Sequence, residues 1–196
     1  MRALLVRAGG DEHRVVAAAV GAAARALLAA GYQVDVVDLH AEAFRAAMTA
    51  EERAAYHGEQ PILSETVRRH AELVRHAELL VFAFRSRELG LPAALKGWLE
   101  RVLVPGVAFH LDERTNRVVA DLRHVRRVVG IAAYDEPRWQ AWLLSDGGRR
   151  TLQRALVMLC HRPCRRTWLG LYRASDASAD TEKAFLSRVE RRLRAA

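Results

Sequence analysis

From Leu79 to Phe109 the chain reads LLVFAFRSRELGLPAALKGWLERVLVPGVAF, and this segment indicates the fold class most directly. It begins with an uninterrupted apolar run, continues through the charged loop Arg85–Glu88, and takes up helical spacing from Pro92. A continuous apolar run favours a strand that is buried on both faces, as strands of parallel sheets are. Strand, polar loop and helix in this order predict a ligand site at the carboxyl end of such a sheet.

Apolar runs and helical segments alternate along the whole chain. The predicted strands are Ala3–Val6, Gln33–Leu39, Glu78–Phe84, Arg126–Ala133 and Thr167–Tyr172. Predicted helices cover Val15–Ala30, Thr49–His57, Ser64–Ala77, Pro92–Leu103, Trp139–Leu144, Gly148–Cys160 and Ala179–Ala195, and a small hairpin is expected within residues 107–119. This alternation predicts one α/β domain over residues 1–196 with helices on both faces of the sheet. Five strands in this rhythm suit a flavodoxin-like, doubly wound parallel sheet of order 2-1-3-4-5.

Composition narrows the class of protein. The chain has 196 residues, 51% of them apolar, and no apolar stretch approaches the roughly 20 residues that span a bilayer. Because the first residues also lack the features of a signal peptide, we expect a cytoplasmic protein. Lys96 and Lys183 are the only lysines among 31 basic residues, and the arginines are spread along the chain. A nucleic-acid binder would cluster its charge, so we expect no nucleic-acid partner.

Two cysteines, Cys160 and Cys164, lie close together in the sequence CHRPC. One such pair is too few for a disulfide framework, and a structural zinc site would need a second pair of ligands. Free cysteines commonly behave as small buried apolar residues. We therefore predict neither a disulfide framework nor a metal site.

Three loops should converge at the carboxyl edge of the sheet, near the switch point between its first and third strands. Gly9 and Gly10 let backbone amides approach an anion, and the helix that follows directs its positive end to the same place. The same glycines also suit a plain tight turn, with Arg14 in solvent. Neither a dinucleotide fingerprint nor a P-loop is present. The candidate cofactor-binding residues are Gly9, Gly10, His13, Arg14, Arg85, Ser86, Arg87, Glu88, Leu89, Ala133, Tyr134 and Asp135, and no residue is assigned a catalytic role.

Individual residues in these loops allow more than one interpretation. Glu88 and Asp135 are expected to face each other across the cleft, either for acid–base work or as salt-bridge partners of the neighbouring arginines. Tyr134 suits stacking on a ligand ring, proton donation, or packing against Trp139. Gly97 lies inside a predicted helix, where glycine costs about 1 kcal/mol relative to alanine, so we expect close packing there, within the chain or against a partner subunit.

The pattern FxF…GxPAxLKGWxERV over Val81–Val102 resembles the NAD(P)H:quinone oxidoreductase family of flavodoxin-like flavoproteins. The sequences RALLV at Arg2–Val6 and GYQV at Gly31–Val34 follow the order and spacing of that family. The resemblance implies FMN or FAD at the carboxyl edge, NAD(P)H as co-substrate, and two-electron reduction of a small quinone-like substrate. It also implies a homodimer whose interface helps to form each site, near the segment Leu95–Trp98.

The three loops differ from the pattern that the resemblance implies. That pattern has histidine with serines or threonines after strand one, an aromatic residue after strand three, and Thr-Thr-Gly-Gly after strand four. This chain has GGDEHRV from Gly9, RSREL from Arg85 and AAYD from Ala132. Two functions therefore stay open. One is a flavin-dependent NAD(P)H oxidoreductase of the quinone reductase type. The other is a non-catalytic binding or regulatory protein without flavin, which has a protein partner or binds another anion through Arg14, Arg85 and Arg87.

Overall fold

The computed structural model describes residues 1–10, 14–58, 60–62, 64–112 and 114–195. Their strands are β1 (Arg2–Ala8), β2 (Gln33–Asp38), β3 (Leu79–Arg85), β4 (Phe109–Leu111), β5 (Val118–Ala120), β6 (Arg127–Ala133) and β7 (Arg165–Leu171). Their α-helices are α1 (Arg14–Ala29), α2 (Ala50–Ala55), α3 (Glu65–His76), α4 (Ala93–Val102), α5 (Arg138–Leu143), α6 (Gly147–Arg150) and α7 (Ala179–Arg194). After α6 the path stays helical, with a π-helical stretch at Thr151–Ala155 and a 3₁₀ stretch at Leu156–Leu159. The helix expected over Gly148–Cys160 follows this mixed path.

The main sheet has the order β2-β1-β3-β6-β7, and every pair of neighbouring strands is parallel. Leu5 at its centre pairs with Val36 on one side and with Val81 on the other. The short antiparallel pair β4–β5 forms the hairpin expected within residues 107–119 and is inserted between α4 and β6. Counted without that hairpin, the strand order is 2-1-3-4-5, which confirms the predicted flavodoxin-like, doubly wound sheet.

Two apolar cores cover the two faces of the sheet, and β3 contributes to both. Leu80, Phe82 and Phe84 point to the core that contains α3 and α4. The alternate residues Leu79, Val81 and Ala83 point to the core formed with α1 and α7. Side chains alternate between the faces of a strand, so burial on both faces explains the unbroken apolar run in the sequence. Among the described residues, no helix is long and apolar enough to cross a membrane.

Helix α4 packs closely against the segment that precedes α2. A Cβ added to Gly97 would lie 2.6 Å from the carbonyl carbon of Ala46, far inside van der Waals contact. The next residue, Trp98, is completely buried in the core of its own chain. The close packing predicted for Gly97 is thus confirmed, and the surface it packs against belongs to the same subunit.

A buried polar chain lies beneath this contact. The indole of Trp98 donates a hydrogen bond to Nδ1 of His70 at 3.2 Å, so the ring proton of neutral His70 is on Nε2. That Nε2 lies 2.9 Å from a carboxylate oxygen of Glu42 and 3.2 Å from Nη2 of Arg69. Burial lowers the pKa of His70, which favours the neutral ring. The chain ties α3 and α4 to the loop after β2.

Candidate functional site

A cleft of about 360 Å³ lies at the carboxyl edge of the sheet, beside β1, β2 and β3. Its lining combines backbone of the β1 loop, apolar side chains and two guanidinium groups. The lining residues are Ala8, Gly9, Gly10, Leu39, His40, Ala43, Phe44, Arg85, Arg87, Pro92 and Ala94. The structure therefore brings together four of the predicted site residues, Gly9, Gly10, Arg85 and Arg87.

Arg7 holds the loops after β1 and β2 in place. Its Nη1 donates to Oδ2 of Asp38 at 2.6 Å, and its Nη2 lies 3.3 Å from the carbonyl oxygen of Gly10. The other oxygen of Asp38 accepts hydrogen bonds from the backbone amides of His40 and Ala41, at 3.0 and 3.1 Å. Because both groups are largely buried and the geometry is close, this pair fixes one side of the cleft.

Arg85, the last residue of β3, joins the loops after β6 and β7 at the same edge. Its Nη2 donates to the carboxylate of Asp135, after β6, and to the hydroxyl of Ser175, after β7, at 2.7 Å. Ser175 also donates to Asp135 at 2.7 Å. The hydrogen bond from Arg85 is the main reason that the pKa of Asp135 is lowered. Of the two interpretations given for Asp135, acid–base work or a salt bridge to a neighbouring arginine, the structure shows the salt bridge. Glu88 is exposed, on the turn described next.

The loop after β3 makes a tight turn from Arg87 to Gly90. The amide of Gly90 donates to the carbonyl of Arg87 at 2.7 Å, and a reciprocal bond runs back at 3.3 Å. Both central residues have positive φ, 47° at Glu88 and 59° at Leu89. Such values cost a non-glycine residue of order 1–2 kcal/mol and persist only where surrounding contacts impose them. Here the amides of Gly147 and Gly148 donate to the carbonyl of Leu89, at 2.8 and 3.2 Å.

Tyr134 follows β6 directly, but its side chain is fully buried. The ring stacks on Tyr172 with centroids 4.8 Å apart and an interplanar angle of 12°. The hydroxyl donates to the carboxylate of Asp146 and accepts from Nε1 of Trp168 at 3.0 Å. Burial, followed by the contact with Asp146, raises the pKa of Tyr134. Tyr134 therefore stacks on Tyr172 of its own chain. Trp139, the packing partner considered from the sequence, is 63% exposed.

The other predicted residues that the structure describes are not among those that line the cleft. Arg14 is exposed at the start of α1, and Ala133 is buried in β6. Ser86 is buried and donates to the carbonyl of Gly90 at 3.3 Å, while Leu89 is buried in the turn. His13, together with Asp11 and Glu12, lies outside the described residues.

Sequence reasoning missed the loop after β2, whose Leu39, His40, Ala43 and Phe44 form one wall of the cleft. It also missed Asp38, which organises that loop. One signal was available, because an acidic residue next to the end of a predicted strand is well placed to cap the turn that follows. Ser175, which lies 90 residues after Arg85, carried no comparable signal.

The cleft suits an anionic ligand that also has an apolar, planar part. Arg87 supplies positive charge, since Arg85 is paired with Asp135, and Gly9 and Gly10 contribute to the lining at the end of β1. Leu39, Phe44 and Pro92 supply apolar surface. Its volume falls within the roughly 300–1,000 Å³ typical of small-molecule and cofactor sites. These features fit the phosphate and ring of a flavin mononucleotide unit.

A doubly wound parallel sheet with a ligand cleft at its carboxyl edge defines this protein as a member of the flavodoxin-like class. A family model described as Flavodoxin-like fold matches residues 1–195. The chain therefore belongs to the flavodoxin-like fold family. Its resemblance to the NAD(P)H:quinone oxidoreductases is confirmed by the relatives described next.

The chain is similar to NAD(P)H dehydrogenase [quinone] 1 from Cavia porcellus and from Rattus norvegicus. Each is 32% identical over 123 residues, covering 55% of this chain and 45% of that protein. The chain thus spans about half the length of the curated relatives it matches.

Solved structures show the same fold at lower sequence identity. Smu.1420 from Streptococcus mutans UA159 superposes with a TM-score of 0.82 at 21% identity, covering 100% of both chains. NAD(P)H:quinone oxidoreductase from Methanothermobacter marburgensis gives 0.81 at 20% identity, covering 99% of this chain and 98% of that chain. An FMN-dependent NADH-azoreductase from Bacillus anthracis str. Ames Ancestor, in complex with FMN, superposes with a TM-score of 0.74 at 13% identity, covering 98% of this chain and 97% of that chain.

Proposed function

We propose that this protein is a flavin-dependent NAD(P)H oxidoreductase that reduces a small quinone-like acceptor. The observation that carries the proposal is the cationic, partly apolar cleft at the carboxyl edge of β1, β2 and β3 in a member of this family. FMN or FAD would supply the hydride-accepting chemistry when bound. The backbone of Gly9 and Gly10 and the guanidinium of Arg87 would hold its phosphate, and Leu39 and Phe44 would contact its ring.

The protein's own residues act here by position and by charge. Arg7 and Arg85 fix the loops around the cleft, so a ligand meets walls that are already formed. Positive charge favours a phosphate-bearing cofactor and would also stabilise negative charge on a reduced ring. The apolar wall excludes water from the face on which a planar acceptor would lie.

The first test is flavin retention. The purified protein is incubated with FMN or FAD, desalted, and scanned for visible flavin absorption. We expect a coloured protein, and an Arg87→Ala variant that binds flavin about tenfold or more weakly, because a charge-assisted hydrogen bond is lost. Arg191→Ala, an exposed change on α7, is the matched control. NAD(P)H oxidation with quinones then tests turnover.

A second candidate function is favoured by one observation. Arg85 is already bonded to Asp135 and Ser175, as expected if the cleft no longer holds flavin. In that case the protein is a binding or regulatory member of the family with another anion or a protein as its partner. A protein that stays colourless with both flavins would support this function and contradict the oxidoreductase.

We also propose a homodimer, as the family resemblance implies. Helix α5 exposes Trp139 at 63%, Leu144 directly after the helix is 59% exposed, and a second copy would remove this apolar surface from water. Light scattering coupled to size exclusion should give twice the mass of 21.9 kDa. A Trp139→Ser variant should shift the mass toward the monomer, and a monomeric parent protein would contradict the proposal.

A further inference from the structure

A second, larger concavity lies beside the candidate cleft and is not used by the function proposed above. It measures about 930 Å³ and runs between α5, the helical path after it, and β7. Four exposed arginines line it: Arg149, Arg150, Arg154 and Arg166. The other lining residues are Ala141, Trp142, Leu143, Ser145, Asp146 and Gln153. We refer to this concavity as the arginine groove.

The positive charge of the arginine groove is not neutralised by its lining. Asp146 is the one carboxylate among the lining residues, and it is buried. Its two oxygens accept hydrogen bonds from the Tyr134 hydroxyl and from the Arg149 backbone amide. Within the described part of the chain, none of the four guanidinium groups forms an ion pair with a carboxylate. Like charges gathered in one concavity raise the local potential and favour a multiply charged anion.

Backbone hydrogen bonds connect the groove to the candidate cleft. The amides of Gly147 and Gly148, at the start of α6, donate to the carbonyl of Leu89 in the β3–α4 turn. Tyr134, at the end of β6, bonds to Asp146. From this junction the groove extends to Arg166, near the amino end of β7. The turn that carries Arg87 of the candidate cleft is thus hydrogen-bonded to the helix at which the groove begins.

Two further features indicate the kind of anion. The indole of Trp142 is 81% exposed on the lining, an apolar surface on which a planar base can stack. The segment Thr151–Ala155 is π-helical, and such irregular turns occur often at functional sites. A ligand with phosphates and an aromatic base satisfies both the arginines and the tryptophan. A nucleotide has this combination, and arginines near its ribose are a known means of accepting a 2′-phosphate.

We propose that the arginine groove binds the adenosine 2′,5′-bisphosphate half of NADPH and makes NADPH the preferred co-substrate over NADH. This inference rests on the oxidoreductase function proposed above. The 2′-phosphate is the group that NADH lacks, so the arginines act on the difference between the two co-substrates. Arg150 and Arg154 both line the groove and lie four residues apart on its helical path, so they are the pair chosen to test phosphate binding.

The test measures binding and needs no turnover. Adenosine 2′,5′-bisphosphate and 5′-AMP are titrated into the full-length protein by calorimetry. We expect 2′,5′-ADP to bind at least tenfold more tightly than 5′-AMP. The double variant Arg150→Ala/Arg154→Ala should lose at least tenfold in affinity for 2′,5′-ADP and little for 5′-AMP. Arg191→Ala/Arg194→Ala removes the same charge from exposed positions on α7 and should leave both affinities unchanged.

Several results would overturn the proposal. Equal affinities of the parent protein for the two nucleotides would remove selectivity for the 2′-phosphate, and this comparison requires no variant. Equal losses of affinity for 2′,5′-ADP in the two double variants would show that net charge, and not the arginine groove, determines the affinity. Displacement of 2′,5′-ADP by oligo-dT, with tighter binding of the oligonucleotide, would make the groove a nucleic-acid site. Flavin retention is measured on the same samples and separates the two proposals. A protein that binds flavin but not 2′,5′-ADP refutes the nucleotide site in the arginine groove. A protein that binds 2′,5′-ADP but no flavin refutes the oxidoreductase function.

Discussion

Replacing Gly97 with alanine tests how α4 packs against the segment before α2. The added Cβ would lie 2.6 Å from the carbonyl carbon of Ala46, and a backbone atom cannot rotate away as a side chain can. Overpacking of this kind costs about 1–3 kcal/mol, and so close an approach to backbone places it near the upper value. The better helix propensity of alanine offsets about 1 kcal/mol. We therefore expect the free energy of unfolding to fall by about 2 kcal/mol.

Gly21, in the middle of α1, provides a matched control. A Cβ there meets only the end of the flexible Arg25 side chain, at 3.4 Å, so Gly21→Ala should stabilise the protein by about 0.5–1 kcal/mol. Urea unfolding followed by circular dichroism gives both values. For a chain of this size, a loss of 2 kcal/mol lowers Tm by about 4–8 °C. A Gly97→Ala protein as stable as Gly21→Ala would refute the close approach of α4 to Ala46.

Three further substitutions test individual contacts. Glu88→Gly should raise the free energy of unfolding by about 0.5–1 kcal/mol, because glycine adopts the positive φ without strain; a loss in urea unfolding would contradict this. Tyr134→Phe should cost about 1–3 kcal/mol by leaving the buried Asp146 without its hydroxyl donor, and an unchanged Tm would refute that hydrogen bond. The lowered pKa of His70 means that below its ordinary value of 6.5 the unfolded chain binds more protons than the folded one. The free energy of unfolding should therefore fall as the pH drops below about 6.5, even though Glu42 faces His70 and Arg69 lies beside it. This dependence of stability on pH should be weaker in His70→Gln. An identical slope in the variant would assign the pH dependence to other groups.

The order of strands and helices was predictable because burial determines it. The apolar run that becomes β3 fills two cores at once, as a strand buried on both faces does. Gly97 was equally informative, since a glycine inside a helix has a cost that close packing explains. Ends of strands were less certain: β1 continues to Ala8 and β7 begins at Arg165, because pairing with a neighbour can extend a strand beyond its apolar residues.

The position of the candidate site could be predicted from the sequence, but the contacts between its residues could not. Gly9 and Gly10 were found because glycine lets backbone amides approach an anion, and Arg85 because it follows an apolar run. The turn at Glu88 and Leu89 has positive φ without glycine, and hydrogen bonds from residues almost 60 positions later hold it. Side-chain pairs between distant loops depend on the whole fold, and no local pattern encodes them.

The turn from Arg87 to Gly90 has a consequence for the speed of ligand exchange. Its strained backbone is imposed by α6 and is part of the folded protein before any ligand arrives. A ligand that enters the cleft beside Arg87 therefore meets this turn already formed and need not wait for it to rearrange. Stopped-flow mixing with flavin should give a single phase whose observed rate rises linearly with flavin concentration, without the plateau that a slow conformational step produces.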